Sequence, residues 1–305
     1  MSGVPLRLGT RRSALALAQS GMVARAVAEA LGRPVDLVEI STYGDVSKEA
    51  LAQIGGTGVF VSALRDALLD GRIDLAVHSL KDLPTAAPDG LLLAAVPERE
   101  DARDVLVARD GLKFADLPPG ARVGTGSPRR AAQLRLARED VEVVPVRGNV
   151  DTRIGFVSSG ALDAVVLAYA GMSRLGRIGE ATDYFEPAVV VPAPGQGALA
   201  VECRAGDAAL AAGLARLDHA PTRAAVLAER TLLAALEAGC SAPVGGYATV
   251  AEEELHLTGI VADAAGPRSI RMSTTGPLDQ AERLGNDLAA RLLDQGAAGY
   301  MGKQP

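Results

Sequence analysis

The chain has 305 residues, 48% hydrophobic and 22% charged, which suits two or three compact folded units and excludes disorder as the default. Its 31 basic and 37 acidic side chains leave a formal net charge of -6, which argues against broad nucleic-acid binding and gives no membrane-surface signal. The opening MSGVPLRLGTRRS has no apolar run before a cleavage site, and no segment offers the roughly 18 uncharged apolar residues that span a bilayer, so a cytoplasmic location is expected.

Taken in chain order, LRLG (6–9) and VDLVEIS (35–41) read as strands, 14–31 and 59–69 as helices, and IDLAVH (73–78) as a strand. The next hundred residues repeat the plan: strand 122–126, helix 128–138, strand 141–146, helix 152–158 and strand 163–168. Alternating strands and helices predict parallel pairing and an α/β fold. GTRRSALALAQ from Gly9 parallels GTGSPRRAAQL from Gly124, and DGRIDLAVHS from Asp70 parallels SGALDAVVLA from Ser159, so two related halves with a central cleft are expected. VPERED (96–101) and the Pro- and Gly-rich VPAPGQG (191–197) read as the crossings between them. Beyond them the pattern changes to a helix (222–237), three strands within 245–275 and a closing helix (278–294), a small α+β domain. The boundaries drawn are 1–97 with 198–217 for the first domain, 98–197 for the second and 218–305 for the third.

The stretch from Arg122 to Arg177 holds nine arginines, no lysine and five acids inside an acidic protein. Arg135 and Arg138, beside Glu139 and Asp140, suit a solvated helix face. Arg129, Arg130, Arg147, Arg153 and Arg174 instead follow strand ends, where α/β folds place their ligands, and the planar guanidinium fork suits carboxylate or phosphate. In GTGSPRR, Ser127 is the expected N-cap and Pro128 the first helical residue, so two cations sit where they oppose the helix dipole. That placement makes sense when an anion is bound there, the alternative being a cap with exposed arginines. Arg11 and Ser13 in GTRRS repeat the arrangement. Lys81 and Asp82 in VHSLKDLP follow a buried strand, and Pro84 prevents a helix from continuing there. They read either as an exposed ion pair or as a cleft-facing pair whose carboxylate offsets positive charge developing on a substrate.

Of the two cysteines, Cys203 in LAVECR suits a buried strand, whereas Cys240 in EAGCSAPVGGYA sits on a Gly-rich loop after an expected Gly239 helix cap. An accessible thiol is a nucleophile or an attachment point, and both stay open on these residues alone. His78, His219 and His256 lack metal-ligand spacing, and no metal is expected. With no Trp, four Phe and five Tyr, the core must be aliphatic.

LGTRRS, VHSLKDLP, EREDARD, VGTGSPRR, VRGNVDTR, LAYAGMSRLG, PGQGALAVECR and GCSAPVGGYA, in this order, resemble the porphobilinogen deaminase (hydroxymethylbilane synthase) family over about residues 6–265. The resemblance implies two domains like type II periplasmic binding proteins plus a small α+β domain. It implies a dipyrromethane cofactor held by a thioether to Cys240, and head-to-tail addition of four porphobilinogen molecules with loss of ammonia. Hydrolysis then releases hydroxymethylbilane. Asp82 matches the catalytic aspartate, which bonds pyrrole N–H groups and stabilises the cation left by ammonia. Lys81, Ser13, Ser127, Arg129, Arg130 and Arg174 match cofactor-binding positions. Arg11, Arg147, Arg153, Gln19, Thr125 and Gln196 are assigned to the substrate. A monomer is implied, with hand-off of the product to uroporphyrinogen-III synthase.

Gln53 and Thr57, where the family often has lysine, and Tyr43, where it often has arginine, make the lid expected at 43–58 less basic; RIGFVSSG likewise lacks the lysine often found after VDTR. The rival readings are a non-catalytic anion-binding protein of the periplasmic-binding type, which predicts an export signal and leaves Cys240 without a role, and a transferase using Cys240 as a transient nucleophile.

Overall fold

The computed structural model describes residues 3–40, 58–86, 88–238, 242–263 and 266–301, with backbone alone for 58–60. Tyr43, Gln53 and Thr57 of the expected lid, Gly239 and Cys240 lie outside the described residues. The chain divides into two compact units, Met1–Glu100 with Ala198–Arg223, and Asp101–Gly197 with Ala224–Pro305.

In chain order, the first unit contributes β1 (Leu6–Thr10), α1 (Ala14–Leu31), β2 (Val35–Glu39), α2 (Gly58–Leu69), β3 (Leu75–Ser79) and β4 (Leu91–Ala95). The second contributes β5 (Asp104–Ala108), β6 (Arg122–Thr125), α3 (Pro128–Ala137), β7 (Glu142–Pro145), α4 (Val150–Ser158), β8 (Ala164–Ala168), α5 (Tyr169–Arg174) and β9 (Asp183–Phe185). The chain returns to the first unit as β10 (Leu199–Arg204) and α6 (Ala208–Leu214). It ends with α7 (Ala220–Ala235), β11 (Val244–Ala251), β12 (Glu254–Ala262), β13 (Ser269–Pro277) and α8 (Ala281–Asp294).

Both five-stranded sheets share one plan: β2-β1-β3-β10-β4 in the first unit and β7-β6-β8-β5-β9 in the second. In each, three strands run parallel, the fourth is antiparallel to its neighbours, and the fifth closes the edge. The parallel pairing expected from the strand–helix alternation holds for three strands of each sheet, and the antiparallel fourth strand is an addition the alternation did not disclose. β5 and β10 are the first strands after each passage between the halves, and each enters its sheet in the reverse direction. Their runs DVLVA and LAVEC are buried throughout, so no alternation in the sequence discloses direction. The C-terminal strands form the antiparallel sheet β11-β12-β13, on which α8 packs. The fold is α/β, with two sheets of repeated topology and a small α+β portion.

Aliphatic burial holds each sheet. Leu6, Leu8, Val23, Val27, Leu75, Leu199, Val201 and Cys203 make one core of the first unit; Leu106, Val123, Leu134 and Val166 make one of the second. Cys203 is fully buried, and burial pushes its thiol pKa up, away from reactivity. α1 has the length and the mean hydropathy, 1.2, of a membrane-crossing helix, which the sequence reading did not credit. It carries Arg25 and Glu29, and its Val23, Ala24 and Val27 face lies in the core. VPAPGQG is buried except at Ala193, with Val191 N donating to Gln133 Oε1 (2.7 Å) and Gly195 N to Glu229 Oε2 (2.6 Å).

Candidate active site

In the first unit, β1 and β3 are parallel neighbours, so their carboxyl ends lie side by side. From β1 the chain turns into α1 through Arg11 and Ser13; Ser13 is the N-cap, its Oγ accepting from Ala16 N at 3.3 Å. This satisfies one of the amides left over at the helix start. From β3 it passes into one 3-10 turn, Leu80–Asp82, closed by Leu83 N donating to Leu80 O at 3.1 Å. Leu80 and Leu83 are buried at 0% and 4% exposure, pinning the turn, while Lys81 and Asp82 between them stay half-buried. Gln19 on α1 is buried and donates through Nε2 to Ser79 Oγ at 2.9 Å, tying the helix to the head of this turn. No described residue forms a hydrogen bond or ion pair with the Asp82 carboxylate, an acceptor-only group.

Beneath this turn, His78 Nε2 lies 3.1 Å from Glu202 Oε2, and Arg65 on α2 grips both Glu202 oxygens at 3.0 and 2.8 Å. Burial would push the Glu202 carboxyl up; the nearby His78 ring and the hydrogen bonds from Arg65 outweigh it and hold the group at about 2.

In the second unit the corresponding positions start α3. Ser127 Oγ accepts from Arg130 N at 3.4 Å, Ser127 N donates to the buried Thr125 Oγ1 at 3.2 Å, and Pro128 opens the helix. Arg129 and Arg130 are buried, at 3% and 5% exposure, around the fully buried Asp104. Because β5 is antiparallel, its first residue Asp104 pairs with Ala168, the last of β8, which brings it to the end of the sheet where α3 begins. Arg130 places Nε and Nη2 on Asp104 Oδ1 at 3.0 and 2.7 Å. Arg129 donates Nη2 to Oδ2 at 2.8 Å and Nη1 to Val191 O at 2.6 Å, and its Nε is buried with no partner among the described residues. Gln196 Nε2 adds bonds to Asp104 Oδ1 (2.8 Å) and Ala102 O (2.6 Å). Burial opposes charge on Asp104, but the two guanidinium groups overcome it and hold the carboxyl far below its usual range.

The cations of GTGSPRR thus face an anion supplied by the chain itself, which the sequence reading missed. Two cations around one carboxylate leave a positive charge over. Arg153 adds to it: half-buried, it donates Nε to Gly148 O at 2.9 Å, and burial and Arg130 push its pKa down. Arg174 donates Nη2 to Gly197 O at 2.6 Å, and Arg147 is exposed. Gly126, between Thr125 and the N-cap, allows a tight approach, since a Cβ there would stand 2.6 Å from Val146 O. Arg138 and Arg177 are structural: Arg138 bonds Asp140 and the carbonyls of Phe114, Ala115 and Leu117, while Arg177 bridges Asp151 and Glu180. Arg135 is exposed. Among the described residues no three His, Cys, Asp or Glu side chains gather as a metal site.

Two buried guanidinium groups around one carboxylate at a helix start leave local positive charge, the kind of environment that attracts a further anion. A family model described as porphobilinogen deaminase, dipyromethane cofactor binding domain, matches residues 6–212, and a second, its C-terminal domain, matches 223–294. Porphobilinogen deaminase 1 of Streptomyces coelicolor is 62% identical over 317 residues, covering 100% of this chain and 99% of that protein. Porphobilinogen deaminase of Thermobifida fusca is 57% identical over 306 residues, covering 97% and 96%. Among solved structures, the VFT2 domain of BvgS from Bordetella pertussis aligns with TM-score 0.42 and 17% identity, covering 70% of this chain and 85% of that one. The chain belongs to the porphobilinogen deaminase family, transferases that work with a dipyrromethane cofactor. The residues present fit a group bearing acetate and propionate carboxylates: positive charge is left around Asp104, and the buried Nε of Arg129 has no partner among the described residues.

Proposed function

We propose that this chain joins four porphobilinogen molecules into hydroxymethylbilane on a dipyrromethane held by a thioether to Cys240, with Asp82 as the catalytic group. The bound dipyrromethane supplies the pyrrole end from which the chain grows. Asp82, on a turn pinned by Leu80 and Leu83, accepts pyrrole N–H bonds and offsets the positive charge that develops as ammonia leaves. Lys81, Ser13, Ser127, Arg129 and Arg174 hold carboxylates of the cofactor and product chain, and Arg130, whose fork grips Asp104, serves the cofactor through its charge. Arg11, Arg147, Arg153 and Thr125 serve the incoming substrate, with Gln19 acting through Ser79 and Gln196 through Asp104. Each charge-assisted bond is worth about 1.5–3 kcal/mol, enough for the loss of one arginine to stall an elongation step. The enzyme acts as a cytoplasmic monomer that hands its product to uroporphyrinogen-III synthase; a buried Cys203 kept as a thiol suits a reducing compartment.

The observation that carries this reading is the buried Arg129 and Arg130 pair, balanced among the described residues by Asp104 alone. Intact-protein mass tests the attachment. The chain should exceed its sequence mass by two linked pyrrole units, and Cys240→Ala should abolish the excess; an unmodified, active protein refutes the covalent cofactor.

A further inference from the structure

We propose that Asp104 is a positioning residue that occupies the fork of Arg130, so that the cluster offers ligand carboxylates one positive charge, directed through Arg129, and releases them as the product chain moves. The inference rests on the proposed carboxylate-binding role of these arginines. A carboxylate is bound most strongly when it takes a guanidinium edge with two N–H groups at once. The Nε–Nη2 edge of Arg130 is already spent in this way on Asp104 Oδ1, and its Nη1 donates to Val166 O at 3.2 Å. Arg129 gives Asp104 only Nη2 and keeps Nε inside the buried site without a described partner. The geometry thus divides two equally buried arginines into one whose fork fixes Asp104 and one with a donor in reserve.

Asp104 is itself fixed. It is 0% exposed, and Gln196 bonds its Oδ1 while anchoring to Ala102 O, so the carboxylate cannot swing away to leave both forks open. The chemical consequence concerns turnover. A growing chain that adds carboxylates at every step must be held and then let go, and a site with two uncompensated buried guanidinium groups would hold too firmly. An internal carboxylate that competes for the same donors lowers that grip without removing the arginines.

The test is Asp104→Asn in the full-length protein carrying its cofactor. Three readouts apply: thermal unfolding, the kcat and KM for porphobilinogen, and the number of pyrrole units carried during turnover by intact mass. Removing the competitor should lower KM and lower kcat by about ten-fold, the scale of one charge-assisted hydrogen bond. The mass distribution should collect at one elongation stage. A raised KM with unchanged kcat, or a mass distribution like the parent's, overturns the proposal and leaves Asp104 a packing residue. Should Asp104→Asn alone not fold, Asp104→Asn with Arg130→Gln restores the charge count and decides: a folded enzyme faster than Arg130→Gln alone upholds the pairing, and a slower or unfolded one overturns it. A parent protein without the pyrrole mass would instead refute the reading on which this rests.

Discussion

Gln19 and Ser79, sixty positions apart in the chain, meet in a hydrogen bond of 2.9 Å that ties α1 to the last residue of β3, immediately before the Lys81–Asp82 turn. Gln19→Ala should cost about 1 kcal/mol of stability, the net worth of such a bond. Because Ser79 heads the turn, kcat/KM should fall several-fold, measured beside a denaturation midpoint. Unchanged kcat/KM would mean that Leu80 and Leu83 alone hold the turn.

Asp82→Asn preserves size and half-burial but removes the charge. Rates should drop on the order of 100-fold or more, the scale seen when a group aimed at developing charge is lost. Circular dichroism and melting temperature should stay near the parent values. Full activity in the variant would remove Asp82 from the catalytic role.

Glu202 is held at about 2, below its usual 4.5, by His78 and Arg65 against the opposing effect of burial. A depressed carboxyl contributes stability that is complete above the unfolded value and is lost as pH falls toward the folded one, here from about 4.5 to about 2. Asp74 adds to the lower part of this window, since hydrogen bonds from Arg7 and Arg204 outweigh burial and hold it at about 2. The Glu202 shift amounts to something on the order of 3 kcal/mol. Glu202→Gln should therefore be less stable near neutrality and show a shallower acid transition; identical acid curves for both proteins would count against the Arg65–Glu202–His78 network.

Gly126→Ala would put a methyl group 2.6 Å from the backbone oxygen of Val146 and 3.6 Å from Arg153 Nη2. Backbone cannot yield as a side-chain tip does, so a destabilisation of about 1–3 kcal/mol is expected. KM should rise as Arg153 shifts. A melting temperature equal to the parent's would show that the loop has slack there.

What short-range physics dictates was legible in the amino-acid sequence: the Ser13 and Ser127 caps, the helices behind them, the strand leading into Lys81 and Asp82, and the repeated motif order, though not the strand Leu91–Ala95 that follows. Capping residues and the 3.6- and 2-residue periods act over a few positions, so they are legible in one dimension. Tertiary structure alone decided that β5 and β10 enter their sheets reversed, because DVLVA and LAVEC are buried on both faces and give no sign of direction. That reversal carries Asp104 to the start of α3, twenty-six positions before Arg130, and brings Glu202 beneath the turn that bears Asp82. The arginines were readable as a search for an anion; that the chain provides the first anion itself follows only from which strand lies beside which.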